Sequence, residues 1–88
     1  MGFKRLTPYK YSKLRREIYE RDDGRCVLCG GRGAHIHHIV FRSQGGKDAA
    51  DNLVTLCGSC HEKAHGRGNS AFTQKSIREM LLKYVSNE

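Results

Sequence analysis

Four cysteines, arranged as two pairs with two residues inside each pair, constrain the fold of this chain more than any other sequence feature. The pairs are Cys26 with Cys29 and Cys57 with Cys60. A chain of 88 residues buries only about 60–65% of the surface that its unfolded state exposes, so its core usually needs a covalent or metal cross-link. Four thiolates suit a tetrahedral zinc ion and fill its coordination shell, which makes such a site structural. We therefore predict a structural zinc that ties the start of the first strand to the start of the core helix.

Disulfide bonds and redox chemistry are the alternatives for these cysteines. The N-terminal stretch MGFKRLTPYKYSKLRR lacks the apolar region of a secretory signal, and no run approaches the roughly 18 apolar residues of a membrane span. We therefore expect a cytoplasmic protein with no membrane partner and with reduced thiols, in which paired cysteines usually bind metal. A thioredoxin-like role for Cys26 and Cys29 would need a β-α-β context, which the sequence does not predict.

Positive charge is concentrated at the two ends of the chain. The net charge is +7, with 8 basic against 4 acidic side chains in residues 1–25 and 4 against 2 in residues 66–88. Such an excess is typical of a polyanionic partner, and we expect double-stranded DNA bound through the basic flanks. A basic surface that serves only solubility is the alternative.

Helices are predicted at both ends of the chain. Tyr11, Leu14 and Ile18 recur on one helical face, Ser12 is a candidate N-cap, and the run 22–24 ends the helix. The last helix, 70–86, would be capped by Ser70 or Thr73. Its shared apolar face is expected to pack against the core and consists of Ile77, Met80, Leu81, Tyr84 and Val85.

Between these helices the sequence predicts a β-β-α unit. One strand covers about residues 36–41, a loop contains Gly45-Gly46, and a second strand covers 53–56. The second cysteine pair then opens a short helix. We expect one domain over residues 1–88, made of a basic arm and helix (1–24), a core (25–66) and the C-terminal helix.

The histidines of this unit have a second metal-binding pattern. His61 and His65 lie four residues apart on the core helix and therefore project from one face. A hairpin packed on that helix would bring His37 and His38 to the same end of the molecule. Imidazole ligands, unlike four thiolates, leave a coordination position open, and open sites are catalytic. In a regular strand His37 and His38 would face opposite sides, so both can serve one site only if the strand bulges, twists or ends there.

Three stretches resemble the motif of the HNH endonuclease family, whose fold is the ββα-metal nuclease fold: HHIVFRSQGG, DNLVTLC and CGSCHEKAHG. The three letters that name the family match His38, Asn52 and His61. The resemblance covers about residues 24–66 and includes both cysteine pairs. It implies an α+β protein in which a small zinc-stapled ββα-metal core is flanked by N- and C-terminal helices, and a DNA endonuclease that depends on a divalent metal.

The resemblance also implies roles for individual residues. His38 matches the general base, and Asn52 matches the residue that braces the hairpin loop and orients that base. His37 and His61 match ligands of a catalytic Mg²⁺, Mn²⁺ or Ni²⁺, and His65 matches either a further ligand or a phosphate contact. An amide such as Asn52 can accept the second N–H of the imidazole and so fix its tautomer.

Three basic side chains and one further histidine lie outside these assigned roles. Arg42, Lys47 and Lys63 are candidate DNA contacts, with solvated surface charges as the equal alternative. His35 matches nothing in the motif, and we expect it to be structural or solvated. A monomer with one catalytic metal should nick one strand. A zinc-stapled module that binds DNA without cutting it, and a nuclease subunit of a phage packaging or restriction assembly, are the competing hypotheses.

Overall fold

Three α-helices surround one short antiparallel hairpin in the computed structural model, which describes residues 5–67 and 71–86. The α+β class and the β-β-α core with flanking helices are confirmed. The elements are α1 (Pro8–Arg21), β1 (His35–His38), β2 (Leu53–Leu56), α2 (Gly58–Ala64) and α3 (Ala71–Ser86), with 3-10 turns at Arg42–Gln44 and Ala50–Asn52 between the strands. None of the described helices is long and apolar enough to cross a membrane.

Helix α1 begins earlier than the sequence predicted. Thr7 is its N-cap, and the Thr7 side chain accepts a 3.3 Å hydrogen bond from the backbone N–H of Lys10. Pro8 occupies the first helical turn, where its fixed φ suits the helix and its missing N–H has no cost. The predicted cap, Ser12, is therefore wrong and lies inside the helix. The predicted end is confirmed, because Asp23 and Gly24 both adopt positive φ directly after α1.

The two strands pair from His35 opposite Leu56 to His38 opposite Leu53. Strand β1 ends at His38, so the prediction of a strand extending to residue 41 is wrong. The cause is Asn52, whose side-chain oxygen accepts a 2.8 Å hydrogen bond from the N–H of Val40 in place of a ladder bond. Every residue of β2 is buried, because α1 and α2 both pack on this strand.

The loop between the strands is tightly folded. Gly45 has a φ of 85°, which confirms the predicted turn. A side chain at Gly46 would meet the carbonyl oxygen of Val40 at 1.7 Å, so only glycine fits there. The Arg5 guanidinium also donates a 2.7 Å hydrogen bond to the Gly46 carbonyl, which fastens the segment before α1 to this loop.

Helix α3 packs against the core with only part of its predicted apolar face. Leu81 and Val85 are buried, and Ile77 and Tyr84 pack partly buried against the same cluster. Met80 is 56% exposed, so the prediction that it packs in the core is wrong; the buried stripe is narrower than the apolar pattern. Thr73 lies within the helix rather than at its cap, and Ser70 lies outside the described residues.

Candidate metal centres and catalytic pocket

The four cysteines converge into one cluster. Their sulfur atoms all lie within 4.8 Å of one another, and the Sγ atoms of Cys29 and Cys57 are 3.6 Å apart. Each pair sits in a turn that directs backbone N–H groups toward sulfur: Gly31 donates to Cys29 Sγ, and Cys60 donates to Cys57 Sγ, both at 3.4 Å. The cluster joins the turn after α1 to the start of α2, because Cys57 is the N-cap of that helix.

The electrostatics of this cluster suit a cation. Burial raises the pKa of Cys26, but hydrogen bonds from the backbone N–H groups of residues 57, 29 and 28 outweigh it and lower that pKa to about 6. Burial raises the pKa of Cys60 well above its ordinary value, and the neighbouring sulfurs add to the effect. Four sulfurs so close together cannot all ionise without a positive charge among them, whereas a metal ion deprotonates its thiol ligands. The four cysteines can therefore hold zinc.

Three histidines form a second cluster, to which α2 contributes His61 and β1 contributes His37. His37, His61 and His65 offer ring nitrogens that all lie within 4.8 Å of one another, and the Nε2 atoms of His61 and His65 are 3.1 Å apart. His37 is only 3% exposed, and its buried Nδ1 has no hydrogen-bond partner among the described residues. A buried nitrogen without a partner is costly unless a ligand binds it. This orphaned atom and the three-nitrogen donor set fit a divalent transition metal.

Two of these histidines, His37 and His61, are held in the neutral form that binds metal. Burial, followed by the proximity of His61 and His65, lowers the pKa of His37 to about 3. Burial, followed by the neighbouring His65, lowers the pKa of His61 to about 4. Both imidazoles are consequently unprotonated at neutral pH, so protons do not compete with a metal ion for their lone pairs.

His38 borders the same pocket although it belongs to the opposite face of β1. The pocket has a volume of about 410 Å³, and four histidines line it: His37, His38, His61 and His65. Both neighbouring histidines reach it because the strand ends at His38. The His38 Nε2 lies 2.9 Å from Asp48 Oδ1, and its ring stacks on that of Tyr11 with centroids 6.1 Å apart.

The Asn52 side chain makes its hydrogen bonds within the loop, and none of those in the described part of the chain joins it to His38. Its side-chain amide donates to the carbonyls of Val40 and Lys47 at 3.1 and 2.9 Å, in addition to accepting from the Val40 N–H. The sequence predicts that the Asn52 amide accepts a hydrogen bond from the His38 ring, whereas the oxygen that lies within hydrogen-bond distance of that ring is Asp48 Oδ1. Sequence reasoning missed Asp48, and the available signal was an acidic residue in the loop ten positions after His38.

The remaining candidate residues occupy distinct positions around the pocket. His35 is exposed and stacks on His61 with ring centroids 4.4 Å apart. Arg42 lines the pocket and lies over the ring of Tyr11, with 4.8 Å from its Cζ to the centroid. Lys47 forms a 3.2 Å ion pair with Asp51, and Lys63 is exposed on α2.

Known proteins with similar sequences identify the family of this chain. The family model described as HNH endonuclease matches residues 26–67, which include both clusters and Asn52. The chain is 33% identical over 60 residues to Anaredoxin of Nostoc sp. (strain PCC 7120 / SAG 25.82 / UTEX 2576), covering 66% of this chain and 79% of that protein. It is 32% identical over 74 residues to the type IV methyl-directed restriction enzyme EcoKMcrA of Escherichia coli (strain K12), covering 73% of this chain but 25% of that enzyme. The chain therefore belongs to the HNH endonuclease family.

Proposed function

We propose that this chain is a metal-dependent DNA endonuclease that hydrolyses a phosphodiester bond with His38 as general base. The observation that carries the proposal is the pocket in which His38 borders the three-histidine cluster. A structural metal site would be closed, whereas this one opens onto a pocket wide enough for a phosphate and a water. The four-cysteine zinc would hold the hairpin and α2 in the arrangement that forms the pocket.

The chain's own residues divide the work in this pocket. His37, His61 and His65 would hold the divalent cation, which would neutralise the scissile phosphate and the leaving oxygen. His38 takes a proton from the attacking water, a step that typically contributes roughly 10²–10⁴-fold to the rate. The expected products carry 5′-phosphate and 3′-hydroxyl ends, as the family resemblance implies. Asn52 holds the loop that carries Asp48 and so maintains the surroundings of His38.

Basic side chains near the pocket are the candidate phosphate contacts. Arg42 is 48% exposed at its side chain and lies on the rim beside Tyr11, so its guanidinium can reach DNA that enters the pocket. Lys63 projects from α2, the helix that carries His61 and His65. Lys47 is a candidate of the same kind as Arg42, because each cation already pairs with one carboxylate, Lys47 with Asp51 and Arg42 with Asp48.

A DNA-binding module without catalysis is the main alternative. Such a module would need the four-cysteine cluster for stability, but it would have no use for a buried His37 nitrogen without a partner beside two further imidazoles. Action within a larger restriction or packaging assembly is compatible with cleavage. The chain spans one quarter of the restriction enzyme that it resembles, so the proposal concerns the cutting chemistry and not recognition of methylated DNA.

Cleavage of supercoiled plasmid by the purified, zinc-loaded chain tests the proposal. We expect cleavage with added Mn²⁺ or Mg²⁺, none with a chelator of moderate affinity that removes only the added ion, and loss of cleavage in His38→Ala and His38→Gln. Both variants should remain folded with zinc bound and should retain the wild-type DNA affinity, since His38 is not a ligand of either cluster. Wild-type cleavage by His38→Ala would refute the general-base assignment. DNA binding without cleavage under any divalent metal would favour the binding module.

A further inference from the structure

We infer that Asp48 is a positioning residue for His38: its carboxylate accepts the Nε2–H of the imidazole and leaves Nδ1 as the atom that takes the proton. The inference rests on the proposed function, which makes His38 the base. His38 Nε2 lies 2.9 Å from Asp48 Oδ1, which is hydrogen-bond distance, whereas His38 Nδ1 makes no hydrogen bond with the residues that the structure describes. Neither the HNH letters nor the metal ligands include Asp48.

The Asp48 carboxylate is a buried acceptor held in one orientation. Its side chain is 1% exposed, and Oδ1 also receives hydrogen bonds from Arg5 at 3.1 Å and from Arg42 at 3.2 Å. Burial alone would raise the pKa of Asp48, but the hydrogen bonds from His38 and Arg42 and the charge of Arg42 lower it below its ordinary value. An ionised carboxylate can only accept hydrogen bonds, so the His38 nitrogen that faces it must carry the proton.

The backbone around Asp48 is fixed from both sides. The Lys47 carbonyl accepts a hydrogen bond from Asn52, and the Gly46 carbonyl accepts one from Arg5. These bonds hold the two residues that precede Asp48, which limits how far its carboxylate can follow a moving imidazole. Stacking on Tyr11 constrains the plane of the His38 ring but does not distinguish its two nitrogens. The carboxylate therefore determines which nitrogen faces the pocket.

The role of Asp48 in the reaction follows from this geometry. The proton of the attacking water passes to His38 Nδ1 while the water oxygen forms the new bond to phosphorus. The bond from phosphorus to the 3′ oxygen breaks, and its electron pair remains on that oxygen. The imidazolium that forms is stabilised by the adjacent Asp48 carboxylate. Asp48 acts only through His38 and stays ionised throughout.

The tautomer of His38 can be measured without any cleavage. Nuclear magnetic resonance of the zinc-loaded protein with isotope-labelled histidine, assigned with His38→Gln, distinguishes protonation at Nε2 from protonation at Nδ1. We expect neutral His38 to carry its proton on Nε2 in the wild type and to become a mixture of both tautomers in Asp48→Ala. A proton on Nδ1 in the wild type, or an unchanged tautomer in Asp48→Ala, would overturn the inference whether or not the chain cuts DNA.

Kinetics provide the second readout. Asp48→Asn should lower kcat by about 10²-fold with little change in KM, because the imidazole is misplaced while DNA binding is kept. In a His38→Ala background, the same substitution should have no further effect on the residual rate, since the base through which Asp48 acts is gone. An equal loss in both backgrounds would mean that Asp48 only supports the loop, and it would refute the positioning role.

Asp51→Asn is the matched control. Asp51 lies in the same loop, and its replacement removes the same charge, but its side chain is 62% exposed and contacts Lys47 rather than His38. We expect Asp51→Asn to retain the wild-type kcat and His38 tautomer. Absence of cleavage by the wild type would refute the proposed function alone, since the tautomer measurement would still decide the role of Asp48.

Discussion

The hydroxyl of Tyr84 donates a 2.8 Å hydrogen bond to Asp22 Oδ1, which joins α3 to the end of α1 across 62 residues. The same carboxylate accepts from the Thr55 N–H at 2.9 Å and from the Arg21 Nε at 2.8 Å. Asp22 thus links both flanking helices to β2, the strand that follows Asn52. The Asp22 side chain is fully buried, so these hydrogen bonds replace the ones that water would make to its carboxylate in the unfolded chain.

Replacement of Asp22 should destabilise the fold strongly. In Asp22→Asn the amide would place an N–H group against one of the present donors and would remove the carboxylate charge that now faces Arg21. We expect a loss of about 3 kcal/mol in the free energy of unfolding, because a buried donor loses its acceptor. Tyr84→Phe removes one hydrogen bond and should cost about 1 kcal/mol. Guanidinium denaturation of the zinc-loaded proteins measures both values. Equal stability of Asp22→Asn and the wild type would show that the network contributes nothing.

The stabilisation by Asp22 should not depend on pH near neutrality. Burial raises the pKa of this carboxyl, but hydrogen bonds from Arg21, Thr55 and Tyr84 together lower it below 3.8. A group whose folded-state pKa is depressed contributes stability above its unfolded pKa and loses it only as the pH falls below that value. The difference in unfolding free energy between wild type and Asp22→Asn should therefore be constant from about pH 8 to pH 5. A difference that shrinks between pH 7 and 5 would contradict the depressed pKa.

Removal of a cysteine ligand should unfold the protein. Structural zinc contributes on the order of 10 kcal/mol in small domains, which exceeds what a core of this size supplies. We expect Cys57→Ser and Cys26→Ser to lack cooperative thermal unfolding and to bind no zinc at stoichiometric level. Ser59→Ala, an exposed change within the second cysteine pair, is the control and should fold normally. Folded wild-type protein that contains no zinc by metal analysis would contradict the structural assignment.

Asn52 should be required for the loop that carries Asp48. Asn52→Asp has nearly the same shape, but a carboxylate cannot donate to the Val40 and Lys47 carbonyls that the amide now contacts. We expect a loss of about 2–3 kcal/mol in unfolding free energy, because buried acceptors lose their donors. The exposed neighbour Asp51→Asn, measured in parallel, should change stability by less than about 0.5 kcal/mol. Comparable stabilities of the two variants would show that the amide does not brace the loop.

Residue spacing predicted the four-cysteine cluster and the proximity of His61 to His65, because ligand chemistry restricts which side chains can share a site. Pairs such as Cys26–Cys29 and His61–His65 are local, so their convergence depends only on a turn or a helix. The approach of these local pairs to ligands elsewhere in the chain followed from the β-β-α order of the elements. The α+β class was predictable from the same order of elements. The helix end at residues 22–24 and the loop turn at Gly45 were predictable because they depend on local residue types.

Features that depend on tertiary contacts were not predictable. The end of β1 depends on Asn52, the residue directly before β2. Its side-chain oxygen accepts the hydrogen bond of the Val40 N–H that a strand backbone would otherwise accept. The carboxylate that lies beside the His38 ring belongs to Asp48. Its position is determined by hydrogen bonds from Arg5 and Arg42 rather than by any local sequence pattern. Met80 matched the apolar period of α3, yet the narrow contact of this helix with the core leaves it exposed.

Under the proposed function, the number of three-histidine clusters predicts the course of plasmid cleavage. The described residues contain one three-histidine cluster, and one catalytic cation can act on one scissile phosphate at a time. If the chain acts as a monomer, it should dissociate from the DNA after cutting one strand, because the second strand has the opposite polarity and lies outside the pocket. Supercoiled plasmid should therefore convert first to open circles, with linear product appearing late.

Salt dependence and protein concentration complete this test. DNA affinity should fall steeply with salt, since each neutralised phosphate adds roughly 0.9 to the slope of log affinity against log salt concentration. A monomer requires that the ratio of nicked to linear product be independent of protein concentration at fixed extent of cleavage. Immediate appearance of linear DNA, without an open-circle phase, would mean that two active sites act together. The exposed side chains of Met80 and Leu82 on α3 would then be the first place to examine for contact between two copies, and Met80→Lys should restore nicking.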